Sequence, residues 1–304
     1  MKTITILSGK GGVGKSSISA SLAVALSETH KIICADCDVD ASNLSLVFGL
    51  QEKDYDEWKP ITTNKKARLI KEKCNGCRKC LETCYFDAIA WDEKNKIPIF
   101  KEFGCEGCRA CELICPNGAI EIFDVNNAKI GYGKTKYGFF VVSSQLEMGE
   151  SGSGKVVSAV KNLANKKSDN SDIMIIDAAA GIGCPVIASV TGSDYVIAVT
   201  EPTPSGFSDL KRALKVVNHF GIPQGLIINK FDLNPSFSKK IERFAKDNKI
   251  KIIANIPYDK NFLNALVNLV PIIDYSPKFK PLFYDIVSKL KEELLVNDKK
   301  TKEE

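Results

Sequence analysis

Gly9-Lys10-Gly11-Gly12-Val13-Gly14-Lys15-Ser16 follows directly on the apolar run Ile4-Thr5-Ile6-Leu7, and a helix-compatible run from Ser16 to Leu26 comes after it. The order is strand, glycine-rich loop, helix. The spacing G-x-x-x-x-G-K-[ST] in that context is a phosphate-binding loop. Small residues let backbone N–H groups close around a β-phosphate, and the helix N-terminus behind them favours negative charge. Gly9 through Ser17 are the candidate nucleotide-binding stretch, with Lys15 reaching the β/γ-phosphates and the Ser16 hydroxyl a ligand for Mg²⁺.

The chain has 304 residues, enough for about two domains with ample core. With 42 basic and 37 acidic residues, a net charge of +5 is too mild to argue for nucleic acid. Met1 to Leu7 does not read as a signal peptide, since its apolar run is short and leads into the loop. No stretch approaches the roughly 18 apolar residues of a membrane span. Eleven cysteines without an export signal point to metal or redox chemistry in a reducing compartment, so a cytoplasmic protein is expected.

Further along, Lys31-Ile32-Ile33-Cys34-Ala35 reads as a second strand, ending in Asp36-Cys37-Asp38-Val39-Asp40-Ala41-Ser42. In doubly wound folds ligands sit at the carboxyl ends of strands, so these acids should face the phosphates. Asp40-Ala41-Ser42 also reads as a helix N-cap cluster, and Asp40 has no other assigned role. Asp172-Ile173-Met174-Ile175-Ile176-Asp177 is a buried strand ending in an acid, followed by Ala178-Ala179-Ala180-Gly181.

The second loop lysine, Lys10, sharpens the picture. Lys10-Gly11-Gly12-Val13-Gly14-Lys15-Ser16 resembles the deviant Walker A of the MinD/ParA/Mrp/nitrogenase-iron-protein class of ATPases. The resemblance implies an α/β, Rossmann-like P-loop NTPase with a mostly parallel sheet that binds ATP and Mg²⁺ and forms a homodimer in the ATP state. In that class Lys10 would cross the dimer interface to the partner's nucleotide. The same likeness implies that Asp38, in switch I, orients the attacking water, that Asp36 supports the metal, that Asp177 of Walker B holds Mg²⁺ through water and that the Gly181 amide senses the γ-phosphate. Lys10, Lys15 and Asp38 are thus the implied catalytic residues, and Ser16, Asp36, Asp38 and Asp177 the implied Mg²⁺ set. Relatives often carry proline at the position of Ala179.

Between these parts the composition changes. From about Tyr55 to Asn64 the periodicity breaks, with Trp58-Lys59-Pro60 marking a boundary. Then Cys74-x2-Cys77-x2-Cys80-x3-Cys84 and Cys105-x2-Cys108-x2-Cys111-x3-Cys115-Pro116 repeat the spacing of bacterial two-cluster ferredoxins, in which the fourth cysteine of each run ligates the other cluster. This assigns Cys74, Cys77, Cys80 and Cys115 to one [4Fe–4S] cluster, and Cys84, Cys105, Cys108 and Cys111 to the second. Paired C-x2-C spacing also occurs in Cys₄ zinc sites, but a third cysteine two residues beyond each pair, in both copies, favours clusters. Tyr85 stands where the pattern usually has proline. Strand-like alternation returns from Lys129 to Val142, so an α+β two-cluster ferredoxin domain over 60–128 is expected inside an ATPase domain formed by 1–59 and 129–304. An insert next to switch I could feel the nucleotide state.

Gly149-Glu150-Ser151-Gly152-Ser153-Gly154-Lys155-Val156 imitates a second phosphate loop, but Val156 offers no hydroxyl for Mg²⁺, and a helix N-terminal loop is expected. Cys184, followed by Pro185, lies at the offset of a cluster ligand in the nitrogenase iron protein; without a matching second cysteine, a small buried core residue is expected, as for Cys34 and Cys37. Gln224-Gly225-Leu226-Ile227-Ile228-Asn229-Lys230-Phe231-Asp232 ends a strand in N-K-x-D. That tetrapeptide reads guanine in GTPases through the aspartate, whereas in the MinD/Mrp class the asparagine accompanies adenine; with Lys10 present, ATP is favoured. Asn229, Asp232 and Pro257, in the loop that relatives place over the base, are the base-side candidates. Leu282, Ile286, Leu290 and Leu294 form one stripe of a final helix. MinD proteins end in a membrane-binding helix, but acidic residues interrupt this polar face, and docking on the core is expected.

Taken whole, residues 1 to 290 resemble MinD-superfamily ATPases with an inserted two-cluster ferredoxin domain. The resemblance implies nucleotide-driven dimerisation coupled to low-potential electron transfer to a protein partner. A scaffold or carrier role in Fe–S or metallocofactor assembly, and a MinD/ParA-like positioning role with regulatory clusters, are the alternatives. A basic DNA face and a persuasive membrane helix are both missing from the sequence.

Overall fold

A computed structural model describes residues 1–101 and 103–300. The chain divides into two compact units, one of residues 1–58, 130–145 and 152–304, the other of residues 59–129 and 146–151.

The first unit is built on strands β1 (Lys2–Ser8) and β2 (Ile32–Cys37), on the entering part of β3 (Glu57–Leu69), and, after β4 (Ile89–Asp92) and β5 (Ile97–Phe100) of the other unit, on the later part of β6 (Ile120–Lys134). It is completed by β7 (Phe140–Leu146), β8 (Ile173–Ala180), β9 (Tyr195–Thr200), β10 (Gln224–Asn229) and β11 (Lys251–Ile256). The strand order is β11-β10-β9-β1-β8-β2-β7-β6-β3. From β11 to β7 every pairing is parallel. Parallel strands need helical crossovers that cover both faces, which is why β2 and β9 are buried along their whole length. Alternation along β1 sends Ile4 and Ile6 into one core and Leu7 into the other.

One face carries the helix Lys15–Ser27, whose small and apolar residues leave it buried on nearly every side. The C-terminal helix Lys280–Lys300 docks beside it: Phe283, Ile286 and Leu290 are buried in the same core, with Leu282 and Leu294 packed at its margin. That is the docking expected of the leucine stripe. Among the described residues no helix is long and apolar enough to cross a membrane. The opposite face is covered by the helices Pro204–His219 and Pro235–Asp247, through Leu210, Leu214, Val217 and Ile241.

The division between the units falls inside a strand, and one local expectation is corrected. Residues 57–69 form a continuous strand despite Pro60, because β3 is the last strand of the sheet and an edge position tolerates a missing N–H. Asp40-Ala41-Ser42 does not cap a helix: the next helix, Leu44–Val47, has Asn43 before it and no side-chain cap. Asp40 instead accepts the Gly152 N–H at 2.8 Å.

The second unit holds the remainder of β3 and β6. They are tied by buried Asn127, whose side-chain oxygen accepts from the Thr63 and Asn64 amides and the Thr63 hydroxyl. The antiparallel hairpin β4–β5 and the short helices Lys79–Thr83 and Ala110–Ile114 complete it.

Because Leu290 is 1 % exposed within the first core, Leu290→Ala is expected to cost about 2–5 kcal/mol of stability. Urea unfolding followed by circular dichroism measures it; an unchanged midpoint would contradict docking of the final helix.

Candidate functional site

β1 delivers the glycine-rich loop to the carboxyl edge of the sheet, and the loop turns into the helix Lys15–Ser27. Gly14 precedes that helix at φ 93°, where an L side chain is strained, and a Cβ there would also collide with the Asn229 amide. At Gly9 a Cβ would meet the Asp209 backbone. The chain thus needs glycine at both ends of the loop for space, and at Gly14 for turning as well.

Parallel register sets Asp36 of β2 beside Asp177 of β8, next to the end of β1. Lys15, only 6 % exposed, extends into this group: its Nζ lies 2.9 Å from Asp177 and 3.4 Å from Asp38. Asp177 is fully buried and also accepts from the Ser16 hydroxyl at 2.6 Å and the Ser19 hydroxyl at 2.8 Å. Asp36 accepts from the amides of Leu44 at 2.9 Å and Asp38 at 3.2 Å. Burial pushes the Asp36 carboxyl well above the usual carboxylate range, Asp177 adds to that, and Lys15 and the Leu44 amide oppose it. Asp38 is raised by burial and by Asp177 against the pull of Lys15. For Lys15, burial alone would lower the pKa, but Asp177 and Asp38 reverse this and hold it above its ordinary value.

Three carboxylates and one ammonium make a cluster with an excess of negative charge, suited to a hard divalent cation. Among the described residues no three acid, histidine or cysteine side chains converge on a single ion. A magnesium ion would be held in the way such ions are usually held, by Ser16, water and nucleotide oxygens with the acids around them.

The other loop-side candidates take different partners. Lys10 is directed to Glu201 at 3.0 Å and Ser205 at 3.3 Å. Glu201 also binds Lys230 at 3.0 Å, and Lys230 donates to the Gly12 carbonyl. Asn229 donates to the Val13 carbonyl at 2.7 Å, tying the end of β10 to the loop. Asp232 accepts the Tyr258 N–H at 2.7 Å, which fixes the segment after Pro257. The Gly181 amide donates to the Ser8 carbonyl at 2.9 Å, with φ 102°. Ser17, half-buried, lies in the first turn of the helix. Glu201 was not singled out in the sequence; its only local mark is that it follows a buried strand.

Residues Gly149 to Val156 form a helix N-terminal loop, as expected: Ser153 accepts from the Val156 N–H, and Val156 is buried. Within the helix Gly154–Lys167, Lys161 donates to the carbonyls of Ala188, Ser189 and Thr191, closing the C-terminal end of the helix Cys184–Val190. Cys34 and Cys37 are buried in β2 as expected, but Cys184 is exposed. It opens its helix, in the turn that follows the carboxyl end of β8.

In the second unit each cysteine run forms the same local structure. Gly76 and Gly107 have positive φ and no room for a Cβ, Arg78 and Arg109 are left-handed, and a short helix follows each arginine. One cavity is lined by Cys74, Cys77, Cys80 and Cys115, a second by Cys84, Cys105, Cys108 and Cys111. Each set takes three cysteines from one run and the fourth from the other. Backbone amides point at the sulfurs: Ala67 to Cys105 at 3.4 Å, Ala88 to Cys84 at 3.3 Å and Ala119 to Cys115 at 3.2 Å. Ala67, Ile89 and Ile120 pack around them. Four thiols around a cavity, with donors aimed at sulfur and apolar walls, fit a cubane cluster better than one small ion. Tyr85, following Cys84, is 92 % exposed.

The fold and the first unit's site define a P-loop nucleotide-binding ATPase of the α/β class. The chain belongs to the CobQ/CobB/MinD/ParA nucleotide-binding domain family, whose profile matches residues 4–272. An uncharacterised protein of Methanocaldococcus jannaschii is 37 % identical over 289 residues, covering 95 % of this chain and 96 % of that protein. Among solved structures, a chain of the Aquifex aeolicus MinC:MinD cell division protein complex superposes with a TM-score of 0.59 at 19 % identity, covering 96 % of each chain. MinD of Pyrococcus horikoshii, complexed with Mg-ADP, gives 0.58 at 19 % identity over 97 % of this chain and 98 % of that one.

Replacing Lys15 by Met removes the ammonium facing Asp36, Asp38 and Asp177, and is expected to cost about 3–5 kcal/mol, as when one partner of a buried ion pair is deleted. Adding Asp36→Asn should recover part of the loss. Denaturant midpoints of the single and double variants test this; equal midpoints for Lys15→Met and wild type would sink it.

Proposed function

We propose that the protein is an ATP- and Mg²⁺-dependent switch that dimerises on ATP and couples its nucleotide state to two [4Fe–4S] clusters, passing low-potential electrons to a protein partner. The observation that carries this reading is the pair of cavities lined by crossed sets of four cysteines in a chain that also has a complete phosphate loop. The clusters would supply one-electron transfer.

On the ATPase side, Lys15 would exchange its contacts with Asp177 and Asp38 for phosphate oxygens, and Ser16 would turn from Asp177 to Mg²⁺. Asp177 and Asp36 would help to hold Mg²⁺, and Asp38, 20 % exposed, would orient the attacking water. Lys10 would leave Glu201 for the partner subunit's nucleotide, neutralising charge that develops on the phosphates. Gly181 would turn its amide from Ser8 to the γ-phosphate. Support for adenine comes from Asp232: one of its oxygens is committed to the Tyr258 amide, which weakens it as a two-oxygen acceptor for guanine.

The exposure of Cys77 and Cys108, the second cysteine of each run, supports a second reading, in which the clusters are cargo of a scaffold or carrier for Fe–S assembly.

An anaerobic preparation should contain about eight irons per chain. Midpoint potentials or EPR spectra should shift between Mg²⁺–ADP and a non-hydrolysable Mg²⁺–ATP analogue. Absence of iron would overturn the cluster reading, and clusters indifferent to nucleotide but delivered to an apo-ferredoxin would favour the carrier.

A further inference from the structure

We infer that the two four-cysteine sites differ in reduction potential, the site of Cys74, Cys77, Cys80 and Cys115 being the first to take an electron. The inference rests on the cluster reading above and concerns the residues that make the two sites unequal.

The sites are close structural copies, so many of the factors that set a potential cancel. The third cysteine of each run, Cys80 or Cys111, is buried to the same 8 % exposure, and the second of each run, Cys77 or Cys108, is exposed. Arg78 and Arg109 occupy equivalent left-handed positions, and each is neutralised by an acid, Arg78 by Glu93 and Arg109 by Glu112. The runs differ between the first three cysteines, and also in the helix that follows, where exposed Glu82 of the first run stands at the position of Leu113 in the second. The first run reads Cys74-Asn75-Gly76-Cys77-Arg78-Lys79-Cys80, the second Cys105-Glu106-Gly107-Cys108-Arg109-Ala110-Cys111. Asn75 and Lys79 line the first cavity; at the same positions of the second stand Glu106 and Ala110. Among the described residues neither Lys79 nor Glu106 is neutralised by an ion pair.

Reduction adds one electron to a site without moving a proton or a bond, so the charge near the site enters its potential directly. A positive neighbour favours the added electron and a negative one opposes it. Lys79 therefore raises the potential at the first site, and Glu106 lowers it at the second. Two effects run the other way. Among the described residues, donors from outside the short helices reach Cys84 and Cys105 in the second set and Cys115 in the first, and such donors raise a potential. Glu82 and one extra peptide dipole oppose Lys79 and Glu106, but only the latter two line the cavities, and these lining charges decide the order. Since Lys79 and Glu106 are both exposed, the gap between the sites should narrow as ionic strength rises.

The test is an anaerobic, EPR-monitored titration of the whole iron-loaded chain with dithionite as electron donor, beside iron analysis. Wild type should give two resolved midpoints. The variant Asn75→Glu with Lys79→Ala should lower the upper midpoint and leave the lower one in place; Glu106→Asn with Ala110→Lys should raise the lower one. Either pair alone is decisive should the other fail to load iron. Two clusters titrating at one potential in wild type, or the Asn75/Lys79 pair moving the lower midpoint, would overturn the order while leaving the cluster reading intact. A wild-type chain without iron would remove that reading, and the order with it.

Discussion

A nearly buried ammonium among three carboxylates governs the nucleotide-binding unit. Lys15 cannot be withdrawn from water without a partner, and Asp177 cannot remain charged at zero exposure without one. Parallel pairing of β1, β8 and β2 brings them together, so the sheet register and the electrostatics of the site are one constraint. The arrangement is still short of positive charge. Asp36 and Asp38 carry raised pKa values because they are withdrawn from water and lie near Asp177, more than the single lysine offsets.

Around this centre the loop-side cations are held by a separate acid. Glu201 binds both Lys10 and Lys230, and Lys230 and Asn229 both reach carbonyls of the phosphate loop. The ends of β9 and β10 therefore report on the loop through polar contacts, although both strands are otherwise apolar and buried. In the second unit the organising principle is different: two copies of one loop-and-helix design share their fourth cysteines, and apolar side chains fill the space between.

Most of the architecture could be read from local pattern. The phosphate loop, β8 and β10 announce themselves because a β-branched run ends in glycine, aspartate or asparagine at fixed offsets, and the cysteine runs because their spacing is dictated by ligand geometry. The misreadings share a cause, which is that distant context overrides a local rule. Asp40 resembles a cap until Gly152, far along the chain, supplies an N–H for its carboxylate. Cys184 is small enough for a core, but its helix begins at the surface. Glu201 could not be singled out, because what gives it significance is the convergence of two lysines from other parts of the chain.

Lys161 gives the helix Cys184–Val190 two unlike ends. Its ammonium grips three carbonyls at the C-terminal end, while the N-terminal end starts two residues beyond Ile182, next to the left-handed Gly181. A rod clamped at one end and joined at the other to a hinge turns about the clamp. A turn of the Gly181 amide away from Ser8 would therefore be taken up at the exposed Cys184 end rather than at the end that Lys161 holds.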